Sequence, residues 1–444
     1  MYKLCKKVLF LAAFAYSFMP TTSQAVPSFA RQTGMDCAAC HTSFPELTPF
    51  GREFKLNGYT LGERQFLPIA AMMQFSDTYI SKSRDNTGAQ QVLREGDPQF
   101  DLMSIFISGK LTDYAGMFMQ WTYSNNSDQN ADGQIRHHSH MDNTDLRLVY
   151  KGDLFDKNLV LGLNVNNNPT VQDVWNSTPA WGFPFSVPNL PHPGPSFGTT
   201  IDGGLAQQVA GLGAYFWWDR HLYGELSFYG NATGPYRFLS EGDWSPNTGA
   251  RYVGRDNPYW RLAWNEEWGP SSLMVGTYGM QIDQDVPGMP ADRYTDTAFD
   301  AQYQYLSDPH IVTFQTTYIH EKIDYRGSYD PTCSGAGACN QRDHINTFKA
   351  KASYLYDRKY GASLAFFDTT GSNDSGVFST GNNPVTKPDN RGYIMELDYN
   401  PWTFARVSLQ YTGYTKFDGS NQVDAVGLKP HDRNMLFLST WFAF

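Results

Sequence analysis

The stretch YIMELDYN, Tyr393 to Asn400, decides the fold. In an extended chain Tyr393, Met395, Leu397 and Tyr399 share one face, while Glu396 and Asp398 share the other, because successive side chains of a strand point to opposite sides. The pattern recurs. FKAKASYLY sets Phe348, Ala350, Ala352, Tyr354 and Tyr356 against Lys349, Lys351 and Ser353. ARVSLQYTG sets Ala405, Val407, Leu409 and Tyr411 against Arg406, Ser408 and Gln410, and DLRLVYKG sets Leu146, Leu148 and Tyr150 against Arg147 and Lys151. Each segment predicts a strand with one apolar and one charged face.

A soluble sandwich would turn the apolar faces into a core. A membrane barrel would turn them to lipid. Mean hydropathy is −0.47, yet 15% of the residues are aromatic, with 27 Tyr, 30 Phe and 11 Trp. Strict alternation reconciles the two, because averaging hides a lipid-facing stripe. Aromatic residues gather at the ends of the apolar faces, as interfacial girdles require. The last strand, in MLFLSTWFAF, carries Leu436, Leu438, Phe442 and terminal Phe444 on one face. A terminal strand closing in Phe resembles the signal read by outer-membrane assembly machinery.

From 67–81 to 434–444 there are about sixteen candidate strands. Short connections such as FDKN, WDR and NPWT alternate with long polar ones at 82–98, 125–143, 168–204, 231–257, 282–296, 322–345, 370–390 and 415–433. An even strand number puts both ends on one side, so short turns are expected in the periplasm and long loops outside. The 168–204 loop, rich in Pro and aromatics, is expected to fold into the channel by analogy with general porins. The fold class is therefore all-β, a transmembrane antiparallel barrel.

The first 25 residues read as a signal peptide. Lys3, Lys6 and Lys7 precede the short apolar run Val8 to Met19, and Ser23 and Ala25 offer a cleavage site. Removal of these lysines leaves 31 basic against 44 acidic residues, a net charge of about −13. That charge excludes nucleic acid as partner. Cys5 leaves with the signal. Cys333 and Cys339, flanking a Gly-rich loop in an exported chain, predict a local disulfide.

Cys37 and Cys40 remain, in Cys37-Ala-Ala-Cys40-His41. This spacing attaches a c-type haem: the thiols bond to the vinyl groups and the adjacent imidazole reaches the iron. A thioredoxin-like pair would need a βαβ frame, and zinc would need two further ligands. One covalent haem c is expected on Cys37, Cys40 and His41. The organisation is then a signal at 1–25, a haem segment at 26–66 and a barrel at 67–444. A segment of about 40 residues holds no core alone. It is expected to plug the barrel lumen, where walls complete it. PELTPFGREFKLNGY predicts a capped helix with Thr48 at the cap, Pro49 in the first turn and Asn57-Gly58 as the stop. Arg52 and Lys55 are candidate propionate partners. The sixth iron ligand is left open by the sequence: Met35, Met72 and Met73 lie near, Met72 can face the lumen from the first strand, and any lumen-facing histidine competes. His137, His138 and His140, with Asp142, fall in the 125–143 loop and could gather a divalent metal.

The stretch PSFARQTGMDCAACHTSFPELTPFGREFKLNGY followed by a porin-like barrel resembles the fused monohaem cytochrome–porins of the outer membrane, which include the iron(II) oxidases of iron-oxidising bacteria. The Phe-Ala-Arg-Gln-Thr lead-in is the specific part. The resemblance implies an oxidoreductase of the Gram-negative outer membrane. It would take electrons from extracellular Fe(II) through the haem to a periplasmic c-type cytochrome. Electron transfer alone requires no catalytic nucleophile or general base. Two other readings stand beside it: a porin or transport channel whose haem gates or senses, and outward transfer to an external acceptor.

Overall fold

The computed structural model describes residues 27–92, 94–129, 135–189, 192–240, 253–334, 337–379 and 386–444. The expected signal peptide lies outside them. Sixteen strands pair in chain order into one closed antiparallel barrel. Strand β1 (Ile69–Ile80) also pairs with β16 (Met435–Ala443), which leaves no free edge. Closure satisfies every ladder hydrogen bond where no water is present to do so.

All the expected strands are present. The charged faces point inward and the apolar faces outward. On β14 (Asn390–Trp402) Leu397 is 61% exposed and Glu396 only 4%. On β4 (Ile135–Leu154) Leu148 is 52% exposed and Arg147 only 2%. Lys351 on β12 (Arg342–Tyr356) and Arg406 on β15 (Ala405–Lys416) are likewise buried within. The apolar belt lies outside, as a hydrocarbon solvent requires. Trp268, Tyr305, Tyr356, Tyr360 and Tyr399 are exposed near the tight turns and form a girdle there.

The tight turns lie at one end, with the start of β1 and the end of β16. They include Phe155–Asp156, Asp308–Pro309 and Asp357–Lys359. In such barrels this is the periplasmic end.

Two long connections differ from expectation. Strand β3 (Ala115–Gln129) and β4 run on through most of 125–143, so His137, His138 and His140 belong to β4 and not to a loop. Strands β9 (Ser271–Val286) and β10 (Met289–Ser307) leave only Pro287 and Gly288 between them, with Gly288 at φ +74°. Beyond the lipid band both faces meet water. The apolar alternation then fades from the sequence while the ladder continues.

The lumen is filled from two sides. The connection between β5 (Lys157–Asn166) and β6 (Val209–Trp218) folds inward as expected, and Trp175 is buried in the barrel. Its backbone is held by the wall: Glu321 accepts from the Thr200 N–H at 2.6 Å and Asp296 from the Ile201 N–H at 3.2 Å. The N-terminal segment enters from the tight-turn end. Cys333 and Cys339 form the expected disulfide.

Candidate functional site

The segment before β1 forms three short helices, α1 (Pro27–Thr33), α2 (Cys37–Cys40) and α3 (Pro49–Leu56). Helix α3 matches its predicted caps. Thr48 accepts from the Gly51 N–H at 3.1 Å, and Gly58 takes φ +68° just past the end. Gly51 is needed for a close approach: a Cβ there would stand 2.2 Å from the Cys40 carbonyl oxygen. Helix α3 therefore lies directly on the Cys-x-x-Cys turn. Phe29, Phe54 and Tyr59 complete a small aromatic core, with ring centroids 5.0 to 5.8 Å apart.

Wall residues anchor this segment. Arg52 donates to Gln302 at 3.0 Å and Gln304 at 2.6 Å on β10, and to Ser272 at 3.0 Å on β9. Lys55 donates to the carbonyls of Val171 at 2.7 Å and Asp173 at 3.0 Å and lies over the Trp181 ring. Burial lowers the Arg52 guanidinium to about 10 and the Lys55 ammonium to about 7. Both cations are thus held by the wall and the inward-folded connection instead of being solvated. A helix considered alone shows them as solvated; the lumen supplies acceptors and takes them up. On the opposite wall Lys351 pairs with Glu46, Arg406 donates to the Phe44 carbonyl at 3.2 Å, and Arg358 donates to the Ala38 carbonyl at 3.2 Å.

Cys37, Cys40 and His41 come together beside a cavity of about 520 Å³. Burial, with Cys37 beside it, pushes the Cys40 thiol up to about 11. A redox-active or metal-binding cysteine needs the opposite shift. Burial lowers His41 to about 4, against the backbone of Glu46 and Pro45, so the imidazole is neutral at ordinary pH, the form that ligates metal. Its Nδ1 is buried and has no hydrogen-bond partner of good geometry. His41 also borders a second cavity of about 260 Å³, lined by Arg358, Trp402 and Phe404 at the tight-turn end. The motif thus sits near the periplasmic mouth.

The wall facing the motif departs from the polar lining usual in porins. Ala70, Met72 and Phe106 are buried together, with Leu102, Phe118 and Trp441 packed against them. Sequence reasoning missed this patch. The available signal was β2 (Gln99–Lys110), where Leu102 and Phe106 lie on one parity and Ile105 and Ile107 on the other. Such a strand is apolar on both sides. The donor set, a neutral imidazole directly after two cysteines beside an apolar cavity, fits a covalently attached haem c. The cavity lies within the range of roughly 300–1,000 Å³ typical of cofactor sites. Among the described residues, no group of His, Cys, Asp and Glu side chains is arranged to hold a metal ion; the side chains of His137 and His138 lie outside them.

No family model matches the chain, and no curated protein matches it. Solved structures do. OmpF of Salmonella typhi, in complex with daunomycin, aligns over 85% of this chain and 97% of its own at 10% identity, with a TM-score of 0.50. The anion-selective porin of Comamonas acidovorans covers 85% and 98% at 12% identity and 0.45. OmpT of Vibrio cholerae, with a loop deleted, covers 85% and 98% at 11% and 0.43. The protein is a porin-like barrel of the Gram-negative outer membrane. It differs from a simple pore in carrying an N-terminal segment docked within the lumen.

Proposed function

We propose that this barrel is an outer-membrane electron conduit, an iron(II)-oxidising cytochrome fused to a porin. The observation that carries the reading is the apolar lumenal cavity that Cys37, Cys40 and His41 share with Met72, Phe106 and Trp441. Phe44 of the segment packs on Trp441 at one side of this wall, and a tetrapyrrole face would cover the rest. Cys37 and Cys40 provide the two thioether positions and His41 the proximal nitrogen. Haem c held there would supply one-electron chemistry, taking one electron from external Fe(II), which would leave as Fe(III), and passing it to a periplasmic c-type cytochrome.

The chain's own residues define the route. The cavity runs from His41 along the wall to Asp101, Asp142 and Asn189. A small cation suits a passage of that size better than a mineral or a protein does. The second cavity opens His41 toward the periplasmic mouth, where an acceptor could dock. The likeness of the FARQTGMDCAACH stretch to the cytochrome–porins supports the same reading.

The barrel architecture favours a second reading, a diffusion channel whose haem gates or senses. Stopped-flow mixing of the purified, detergent-held protein with Fe(II) separates the two. Rapid growth of the ferrous haem bands is expected, and His41→Ala abolishes the normal spectrum. Haem that stays oxidised with Fe(II), yet is reduced by another donor, would sink the iron assignment. Large steady conductance in planar bilayers would favour the channel.

A further inference from the structure

We infer that Met72 is the second axial ligand of the haem iron, an assignment that rests on the haem reading above. The pleat of β1 decides which methionine faces inward. Met72 is 5% exposed and lies on the parity of Ala70, Gln74 and Ser76, all of them turned to the lumen or buried. Met73 stands on the opposite face, paired with Phe442 and Met103.

Position agrees with parity. A ladder of contacts links His41 to Met72 around the cavity. The His41 and Phe44 rings lie 4.7 Å apart, the Phe44 and Trp441 rings 5.6 Å apart, and Trp441 packs against the cluster that contains Met72. Met72 and His41 line the same cavity, one from the wall and the other from the segment. Two thioether bonds and His41 fix one edge and one face of a haem. A ligand for the other face must come from across the cavity.

The other donors that line this cavity are otherwise engaged or misplaced. No histidine but His41 lines it among the described residues. The Tyr59 hydroxyl is committed to Asp145 at 2.7 Å, and the Lys55 amine to two backbone carbonyls. Met35 is 40% exposed and only two residues ahead of Cys37, so it is tethered to the attached edge.

A neutral thioether in an apolar setting favours ferrous over ferric iron and raises the reduction potential. That is the direction needed if the haem is to accept an electron from Fe(II). Met72 is buried with Ala70 and Phe106, and Leu102, Phe118 and Trp441 pack against this cluster, an apolar setting that would keep water from competing for the iron.

The test uses full-length holoprotein in detergent with Met72→Leu, Met72→His and Met35→Leu. Leucine conserves volume, so packing is kept while the sulfur is lost. Heat-modifiable gel migration confirms the barrel in each variant. Wild type should show the far-red charge-transfer band of a ferric iron–methionine bond. Met72→Leu should lose that band, bind added imidazole at the opened position and show a lower midpoint potential. Met72→His should stay low-spin without the band, and Met35→Leu should match wild type. Retention of the band in Met72→Leu, its loss in Met35→Leu, or its absence from haem-loaded wild type would overturn the assignment while the haem reading stands. A mature chain without covalent haem would overturn both.

Discussion

The Tyr59 hydroxyl donates a hydrogen bond to the Asp145 carboxylate of β4 at 2.7 Å. Arg147 reaches the same carboxylate oxygen at 2.9 Å and lies 5.7 Å from the Tyr59 ring centre. The end of the N-terminal segment is therefore fixed to the lumen wall through a buried group that water does not reach. Tyr59→Phe removes one of the two donors and leaves the carboxylate under-satisfied. A loss of about 1–3 kcal/mol is expected for docking of the segment. Limited proteolysis of detergent-held protein should release it faster, with the barrel itself unchanged on heat-modifiable gels.

Haem attachment is checked by mass. The mature chain should start at Val26 and carry one haem. Cys40→Ala should keep one thioether, and the haem should resist acid acetone in wild type. An unmodified wild-type chain would end the cytochrome reading.

Lys55 makes docking depend on pH. Its folded value is about 7, lowered by burial from the usual 10.5. Between those values the released segment binds the proton and the docked one does not, so docking strengthens as pH rises from about 7 to about 10. Below 7 both states are charged and the dependence vanishes. Amide exchange of α3 at pH 7 and pH 10 should show this slope, and Lys55→Met should flatten it. Equal slopes in both proteins would refute the account.

Arg261 on β8 (Asn257–Trp268) lies between Asp300 at 2.8 Å and Asp173 at 3.3 Å, all three side chains fully buried. Asp173 belongs to the inward-folded connection, so this cation ties that connection to the wall. Arg261→Met leaves two buried carboxylates facing each other, a cost of about 3–5 kcal/mol. The connection should loosen, and single-channel conductance should rise above a small wild-type value. Wild-type conductance equal to that of the variant would show that the connection does not obstruct the lumen.

Topology is tested with epitopes. One placed after Gln422, in the exposed connection between β15 and β16, should be reached by antibody on intact cells. One placed between Arg358 and Lys359 should be reached only after the outer membrane is permeabilised. The reverse result would invert the barrel.

Much of this architecture is legible one residue at a time. Leu397 against Glu396, or Leu148 against Arg147, states in two letters which side meets lipid. The chemistry of a strand pleat is local, so period two survives without tertiary knowledge. The caps of α3 are equally local: Thr48 and Gly58 act on backbone groups a few positions away. Where lipid stops, that legibility stops. The outer parts of β4 and β10 read as loops because water on both faces imposes no alternation.

The sequence by itself determined the barrel, with about sixteen strands, and the spacing Cys37, Cys40, His41, because each is written in near neighbours along the chain. Only the tertiary structure decided what surrounds that motif. Arg52 reaches Gln302 across 250 residues, and Trp441 joins Met72 and Phe106 beside His41 only after β16 closes on β1. A lumen is assembled from every strand at once. Its polarity at one depth is a property of the closed ring, so no single segment could announce an apolar wall facing the Cys-x-x-Cys-His motif.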